Sequence, residues 1–161
     1  MVEIKKATLN DQDAIWSIIK PVISQGDTYT FAPTASKEHM LAYWCGGDKH
    51  CFVAVLENEI VGTFIIKDNQ PVLGAHVANA SYMVHPKHQG KGIGRNMGES
   101  SLEIAMSIGY KAMQFNLVVK TNEAAVKLWM SLGFEIIGEI PDAFQHSTEG
   151  LVNAYMMYRK L

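Results

Sequence analysis

The stretch His88-Gln89-Gly90-Lys91-Gly92-Ile93-Gly94-Arg95 decides the fold of this chain. It follows an extended run from Val77 to Val84 and opens a run of helical periodicity. Glycines at the start of a helix let an anion approach the main chain, where unpaired N–H groups lie at the positive end of the helix dipole. Such a turn can receive a phosphate or pyrophosphate. We therefore expect a phosphate-bearing ligand at Gln89 to Arg95.

The spacing of these glycines excludes two common phosphate loops. A nucleoside-triphosphate loop needs Gly-x-x-x-x-Gly-Lys followed by Ser or Thr, and that string does not occur. The dinucleotide fingerprint needs a third glycine where this chain has Arg95. The pattern that fits is Gln-x-x-Gly-x-Gly, filled by Gln89, Gly92 and Gly94. By itself this string also suits a plain glycine-rich turn between a strand and a helix.

The Gln-x-x-Gly-x-Gly string resembles the acyl-coenzyme-A binding motif of the GNAT superfamily of N-acyltransferases. A second segment also resembles this family. Lys111 to Val119 is typical of a strand, and Asn122 to Leu132 has helical periodicity that ends at Gly133. The phrase from Thr121 to Glu135 looks like the second signature of the family. The resemblance covers most of the chain.

The pattern of the whole chain predicts the element order βααβββαβαββ. This order is typical of an α/β (or α+β) sandwich. The resemblance implies one GNAT domain over residues 1–161, with a mixed, mostly antiparallel seven-stranded sheet and helices on both faces. Pro21 is expected to end or kink the first helix, and Gly138 and Pro141 are expected to break a strand.

Composition limits the partners of the protein. The formal net charge of −2 over 161 residues implies no broad basic surface for nucleic acid. No apolar stretch approaches the ~20 residues of a membrane span. Cys45 and Cys51 are too few for a disulfide framework, and free thiols are expected. We expect a soluble cytoplasmic protein, and we assign no metal ligands. Asp142 to Gly150 either covers a pocket or makes a homodimer contact.

The resemblance implies acetyl-coenzyme A as the ligand. Main-chain amides of the glycine-rich loop would hold the pyrophosphate, with Lys91 and Arg95 adding charge. Main-chain groups near Met83, Val84 and His85 would pair with the pantetheine arm. The implied cofactor contacts are Met83, Val84, Gln89, Gly90, Lys91, Gly92, Ile93, Gly94, Arg95 and Asn122.

The acid and the base depart from the common family pattern. Many GNAT enzymes carry a Tyr in the second-signature helix, where this chain has Trp129, which lies on an apolar stripe and is expected to pack in the core. Many relatives also carry a Glu on the fourth strand, but no carboxylate occurs between Gly74 and Val84. An amine of pKa ~10.4 must lose a proton before it attacks. A water chain ending at His76 or His85, or a tyrosine such as Tyr82, is left open as the proton acceptor.

Three asparagines are the candidate catalytic residues: Asn79, Asn116 and Asn122. The phrases around them resemble a GNAT branch that includes the acetyltransferases of proline analogues such as azetidine-2-carboxylate, and phosphinothricin-type small-amine acetyltransferases. In that branch asparagines at these positions line the reaction centre. Asn116 interrupts an apolar run and needs a polar partner if it is buried. Asn122 either joins the site or caps the following helix.

The acceptor pocket is expected to lie in the N-terminal half. Tyr29, Phe31 and Trp44 are candidate walls, and Asn79 and Asn116 are candidate substrate contacts. The combined prediction is transfer of acetyl from acetyl-coenzyme A to a small-molecule amine, such as an amino acid or its analogue, by direct attack in a ternary complex. Acetylation of a protein N-terminus or lysine, and a non-catalytic acyl-coenzyme-A sensing domain, remain as alternatives.

Overall fold

The computed structural model describes every residue from Met1 to Leu161. The element order is βααβββαβαββ, as the sequence predicts. The strands are β1 Glu3–Lys6, β2 His50–Leu56, β3 Glu59–Asp68, β4 Val77–Val84, β5 Ala112–Val119, β6 Glu135–His146 and β7 Gly150–Lys160. The helices are α1 Gln12–Gln25, α2 Lys37–Trp44, α3 Ile93–Ser107 and α4 Glu123–Ser131.

All seven strands form one sheet, in the order β1-β2-β3-β4-β5-β7-β6. Every neighbouring pair is antiparallel except β4 and β5, which are parallel. This confirms the mixed, mostly antiparallel sheet. The parallel pair is short, because Val77 pairs with Ala112 and Ala78 with Met113 before the two strands separate. The sheet therefore has a gap in its middle, with main chain on both sides.

The sheet separates two apolar cores. Helices α1 and α2 cover one face, where Ile65 of β3 and Met83 of β4 are buried. Helices α3 and α4 cover the other face, where Ala78 and Ala80 pack with Met97 of α3. Side chains alternate between the two faces along β4, as expected for a strand. Helices lie on both faces, as predicted.

Side-chain hydrogen bonds cap the starts of the first two helices. The Asp11 carboxylate accepts from the Thr8 main-chain N–H at 2.7 Å just before α1. The Ser36 hydroxyl accepts from the N–H of His39 at 3.1 Å at the start of α2. Each oxygen satisfies a donor that a helix start leaves unpaired.

Two expected breaks do not end their elements. Pro21 lies within α1, which continues to Gln25 because the buried residues Val22 and Ile23 keep its apolar face in contact with the core. Gly138 and Pro141 lie within β6, which pairs with β7 throughout but shifts register near both residues. The pairing is irregular at these shifts, and β6 tolerates a proline because it is an edge strand.

Cys45 and Cys51 are free thiols, as expected. No helix in the structure has both the length and the apolar character needed to cross a bilayer.

Candidate functional site

A cavity of about 740 Å³ opens where β4 and β5 separate. Its walls come from the loop before α2, from both separating strands, from the glycine-rich loop and from the start of α4. The predicted site residues that line it are Tyr29, Phe31, Asn79, Met83, Val84, Gln89, Gly90, Gly92, Ile93, Gly94, Asn116 and Asn122. Lys91 and Arg95 do not line it. The gap in the sheet thus brings the predicted cofactor contacts and the predicted substrate contacts into one cavity.

The glycine-rich loop forms one end of the cavity. Gly90 and Gly92 have φ angles of 77° and 76°, in the left-handed region that glycine tolerates best. Gly92 is the N-cap residue of α3, and the first turn of that helix carries no acidic residue. No heavy atom lies within 4 Å of a Cβ built at either glycine. The loop therefore leaves open space in front of the positive end of a helix dipole, which suits an anion.

The charges expected at this loop lie beside the cavity. The guanidinium of Arg95 donates to the Ser131 hydroxyl at 2.8 Å and pairs with Glu99 at 3.4 Å. The ammonium of Lys91 lies 3.5 Å from the ring nitrogen Nδ1 of His88. Arg95 thus links α3 to the end of α4, whereas the loop main chain faces the cavity.

The main chain of β4 has one edge paired and one edge free. The N–H of His85 bonds to the carbonyl of Val61 at 2.9 Å, towards β3. Residues two positions apart in an antiparallel strand face the same neighbour, so the main-chain groups of Met83 also face β3. Those of Tyr82 and Val84 face the gap. The main-chain groups of Met83 and His85, which the sequence analysis assigned to the pantetheine arm, thus pair with β3, whereas those of Val84 are directed at the gap.

Tyr29 bonds to this free edge. Its hydroxyl accepts from the N–H of Tyr82 at 3.0 Å and donates to the carbonyl of the same residue. Burial raises the pKa of the Tyr29 phenol to about 12. Its ring stacks on Phe31 with centroids 5.9 Å apart, and Phe31 meets the edge of Tyr43 at 5.3 Å. The three rings form an aromatic wall at the other end of the cavity.

Tyr43 is a lining residue that the sequence analysis missed, while its predicted neighbour Trp44 lies in the core. The Trp44 indole N–H donates to the buried Thr63 hydroxyl at 2.9 Å, so its ring serves packing. The sequence analysis named Trp44 as a candidate wall, and no local pattern indicates that the adjacent Tyr43 faces the cavity instead.

Two lysines lie over the ring of Tyr43, at 4.2 Å for Lys49 and 5.5 Å for Lys67. Lys49 is paired with the Asp48 carboxylate at 2.8 Å. Lys67 donates to the Tyr43 hydroxyl at 3.3 Å and has no carboxylate within 4.0 Å. Lys67 also lies opposite Asn79 in the β3–β4 register. The ammonium of Lys67 thus lies beside Tyr43, although Lys67 itself does not line the cavity.

The three predicted asparagines meet around the gap. Asn79 donates from Nδ2 to the main-chain carbonyl of Gln114 at 2.9 Å. Asn116 donates to the Asn69 side chain at 2.7 Å and accepts from the Gln114 side chain at 3.0 Å. Asn116 has the polar partners expected of it but is exposed, because a register shift in β5 takes it out of the ladder. Asn122 caps α4, accepting from the N–H of Ala125 at 3.4 Å.

Of the candidate proton acceptors, Tyr82 lines the cavity, whereas His76 and His85 do not. The Tyr82 hydroxyl bonds to Ser101 at 2.7 Å on the α3 face, and burial raises its pKa. Trp129 is 8% exposed and packs against Tyr82 and Phe115, in agreement with its expected packing role. No aspartate or glutamate lines the cavity. His88 is the histidine that lines it.

Comparison with known proteins defines the class of this chain. Residues 17–134 match the model of the Acetyltransferase (GNAT) family. This match covers most of the chain, and the protein therefore belongs to that family.

Two curated relatives are similar over part of the chain. The N-acetyltransferase aca1 of Schizosaccharomyces pombe is 41% identical over 101 residues, covering 62% of this chain and 48% of that protein. The L-amino acid N-acyltransferase MnaT of Escherichia coli is 35% identical over 66 residues, covering 41% of this chain and 38% of that protein. The chain thus spans half or less of the length of the curated relatives that it matches.

Two solved structures share the whole fold. A GCN5-related N-acetyltransferase from Kribbella flavida is 38% identical, with a TM-score of 0.94, and covers 99% of this chain and 98% of its own. A phosphinothricin acetyltransferase of the GNAT superfamily from Sinorhizobium meliloti, solved in complex with acetyl-coenzyme A, has a TM-score of 0.88 at 18% identity. It covers 99% of this chain and 88% of its own.

Proposed function

We propose that this protein is an N-acetyltransferase that transfers acetyl from acetyl-coenzyme A to the amine of a small molecule. The observation that carries the proposal is the cavity between β4 and β5. It joins a helix N-terminus suited to a diphosphate at one end to an aromatic wall at the other. A donor and an acceptor that enter from opposite ends meet where the two strands separate. This geometry supports direct attack in a ternary complex.

The donor half of the cavity suits a long, amide-containing chain that ends in phosphates. On the edge of β4 that faces the gap, the main chain of Val84 offers a donor and an acceptor to such a chain, as a neighbouring strand would, whereas that of Tyr82 is bonded to Tyr29. The main chain from Gln89 to Arg95 then receives the diphosphate. Family membership and the acetyl-coenzyme A complex of the Sinorhizobium protein support acetyl-coenzyme A as this ligand.

The acceptor half suits an amino acid or a close analogue. Three aromatic rings provide an apolar wall, and a cavity of this volume holds small molecules. The ammonium of Lys67, which donates to the Tyr43 hydroxyl just behind the lining of the cavity, is our candidate counter-charge for a carboxylate. The similarity to MnaT, an L-amino acid N-acyltransferase, supports the same class of acceptor.

Transfer proceeds without a covalent enzyme intermediate in this proposal. Neither free cysteine lines the cavity, and no histidine–serine pair bonds there. The substrate amine attacks the thioester carbon itself. Because an ordinary amine is protonated near neutral pH, its proton passes to water in the cavity before attack, and activity rises with pH below the pKa of the amine.

The decisive experiment measures thiol release from acetyl-coenzyme A with a panel of amino acids, simple amines and peptides that carry a free N-terminus or lysine. Turnover with amino acids above that with peptides is the expected result. Preference for peptides would favour a protein acetyltransferase. Tight binding of acetyl-coenzyme A without turnover of any acceptor would favour a sensing domain.

A further inference from the structure

Three side-chain amides form a chain of hydrogen bonds beside the gap between β4 and β5. Gln114 donates from Nε2 to Oδ1 of Asn116 at 3.0 Å, and Asn116 donates from Nδ2 to Oδ1 of Asn69 at 2.7 Å. Asn116 lines the cavity, whereas Asn69 and Gln114 do not. Asn69 is itself fixed, because its main-chain N–H donates to the carbonyl of Val77 at 2.8 Å. The Asn116 amide is thus held by partners that lie outside the cavity.

The Asn116 amide keeps part of its bonding capacity for a ligand. A primary amide has two N–H groups and two acceptor lone pairs on its oxygen. Asn69 takes one N–H, and Gln114 takes one lone pair. One N–H and one lone pair remain, and the side chain is exposed in the gap. Because turning the amide over interchanges its oxygen and nitrogen, the direction of the chain decides which of them a ligand meets at a given point.

We propose that Asn69 and Gln114 are positioning residues that orient Asn116 so that its oxygen accepts from an N–H of the acceptor amine. This inference rests on the proposed acetyl transfer. A neutral amine held through one N–H keeps its lone pair free to attack the thioester carbon, and such orientation lowers the barrier. A reversed amide would place an N–H at the same point, where it would bond to the lone pair that must attack.

Two nearly isosteric substitutions test the direction of the chain. Asn69→Asp places a carboxylate, which only accepts, where the chain needs an acceptor. Gln114→Glu places a carboxylate where the chain needs a donor, so the Asn116 amide must turn over to pair with it. Both variants add one negative charge at an end of the same chain. We expect kcat/KM for the acceptor to be at least about tenfold lower in Gln114→Glu than in Asn69→Asp.

Truncation of Asn69 tests whether it acts through Asn116. We expect Asn69→Ala to lower kcat/KM for the acceptor about three- to tenfold, because one hydrogen bond no longer holds the amide. Asn69→Asp should recover most of this loss. In the Asn116→Ala background, Asn69→Ala should have no further effect. The affinity for acetyl-coenzyme A should not change in any of these variants, and the losses should be equal for an amino acid and its amide.

Three kinetic results would overturn the inference. Losses in Asn69→Ala and Asn116→Ala that multiply in the double variant would show that Asn69 acts elsewhere. A Gln114→Glu variant as active as Asn69→Asp would show that the direction of the chain does not matter. Losses that disappear with the amino acid amide would assign the Asn116 contact to a carboxylate and not to the amine.

A further measurement needs no acceptor. The side-chain N–H resonances of Asn116 in ¹⁵N-labelled protein are identified by their absence in Asn116→Ala. We expect the hydrogen-bonded proton to move to higher field in Asn69→Ala and to stay at lower field in Asn69→Asp. Unchanged resonances in Asn69→Ala would overturn the inference even in an active enzyme. A wild type that turns over no acceptor would instead overturn the proposed function, and the amine contact with it, whatever these resonances show.

Discussion

Asn79 donates to the main-chain carbonyl of Gln114 at 2.9 Å, just beyond the last paired residues of β4 and β5. The side chain thus bridges the two strands at the point where the ladder ends. The Asn79 side chain spans the space between the two strands. It gives a partner to the Gln114 carbonyl, which would otherwise be unpaired in the gap. Asn79 therefore positions the opening of the cavity as well as lining it.

Replacing Asn79 by aspartate keeps the shape of the side chain and removes the donor. We expect Asn79→Asp to lower the free energy of unfolding by about 1–3 kcal/mol, because the Gln114 carbonyl loses its partner and faces a carboxylate. Chemical denaturation of the variant and the wild type measures the difference. Equal unfolding free energies would show that the bond does not hold the two strands.

Asn116 provides the contrast, because its side chain is exposed in the gap. We expect Asn116→Ala to lower kcat/KM about tenfold or more through loss of a substrate contact, with little change in melting temperature. Steady-state kinetics with the preferred acceptor and a thermal melt test both halves of this prediction. Full activity in Asn116→Ala would remove Asn116 from the candidate catalytic residues.

Gly92 tests the anion site at the start of α3. A left-handed residue is needed there, and asparagine tolerates that conformation better than most residues. Gly92→Asn and Gly92→Asp have nearly the same size, but only aspartate adds a negative charge. We expect Gly92→Asp to bind acetyl-coenzyme A at least about tenfold more weakly than Gly92→Asn, which is about 1.4 kcal/mol. Calorimetric titration measures both affinities.

The matched pair at Gly92 separates charge from backbone strain. Both variants strain the loop to a similar extent, and both add a side chain to space that is open. Equal affinities for acetyl-coenzyme A would mean that no phosphate binds near this helix N-terminus. The donor half of the proposed function would then fail.

Substitution of Lys67 tests whether the acceptor carries a carboxylate. A hydrogen bond to a charged group contributes about 1.5–3 kcal/mol, so Lys67→Gln should raise the KM for an amino acid about tenfold or more. The KM for the corresponding amino acid amide should change little, because it lacks the carboxylate. Lys49→Gln is the control, since Lys49 lies over the same Tyr43 ring but is neutralised by Asp48. Equal effects on acid and amide would exclude a carboxylate contact.

Buried phenols predict a loss of stability at alkaline pH. Burial raises the pKa of Tyr29 from 10.0 to about 12 and also raises that of Tyr82. The folded state therefore holds these protons more tightly than the unfolded chain. Their stabilisation is complete below pH 10 and is lost as the pH rises through about 12. Denaturation midpoints measured across this range should fall, and should fall less steeply in Tyr29→Phe than in the wild type.

Local features of this fold were predictable because they depend on neighbouring residues. Thr8, Ser36 and Asn122 precede helices and cap them, and the period of apolar residues marked each strand and helix. Predictions failed where packing overrides local preference. Pro21 stays inside α1 because buried side chains lie on both sides of it in the chain.

The candidate site was predictable only in part for the same reason. The glycine-rich loop is contiguous, so its left-handed glycines and helix start could be anticipated. Tyr43 was missed because no local pattern shows that it meets Phe31 across a loop. The main-chain contact was assigned to Met83 because alternation gives the side-chain faces of β4 and leaves open which residues pair with β3.

The amino-acid sequence by itself determined the element order, the caps and the glycine-rich turn at residues 89–95 that opens a helix, since these follow from periodicity, glycine conformation and unpaired helix amides. Only the tertiary structure decided that β4 and β5 separate after Ala78 and Met113, and that Tyr29 meets the free edge they leave. The physical reason is that strand register, and contacts between residues far apart in the chain, depend on packing across the whole sheet.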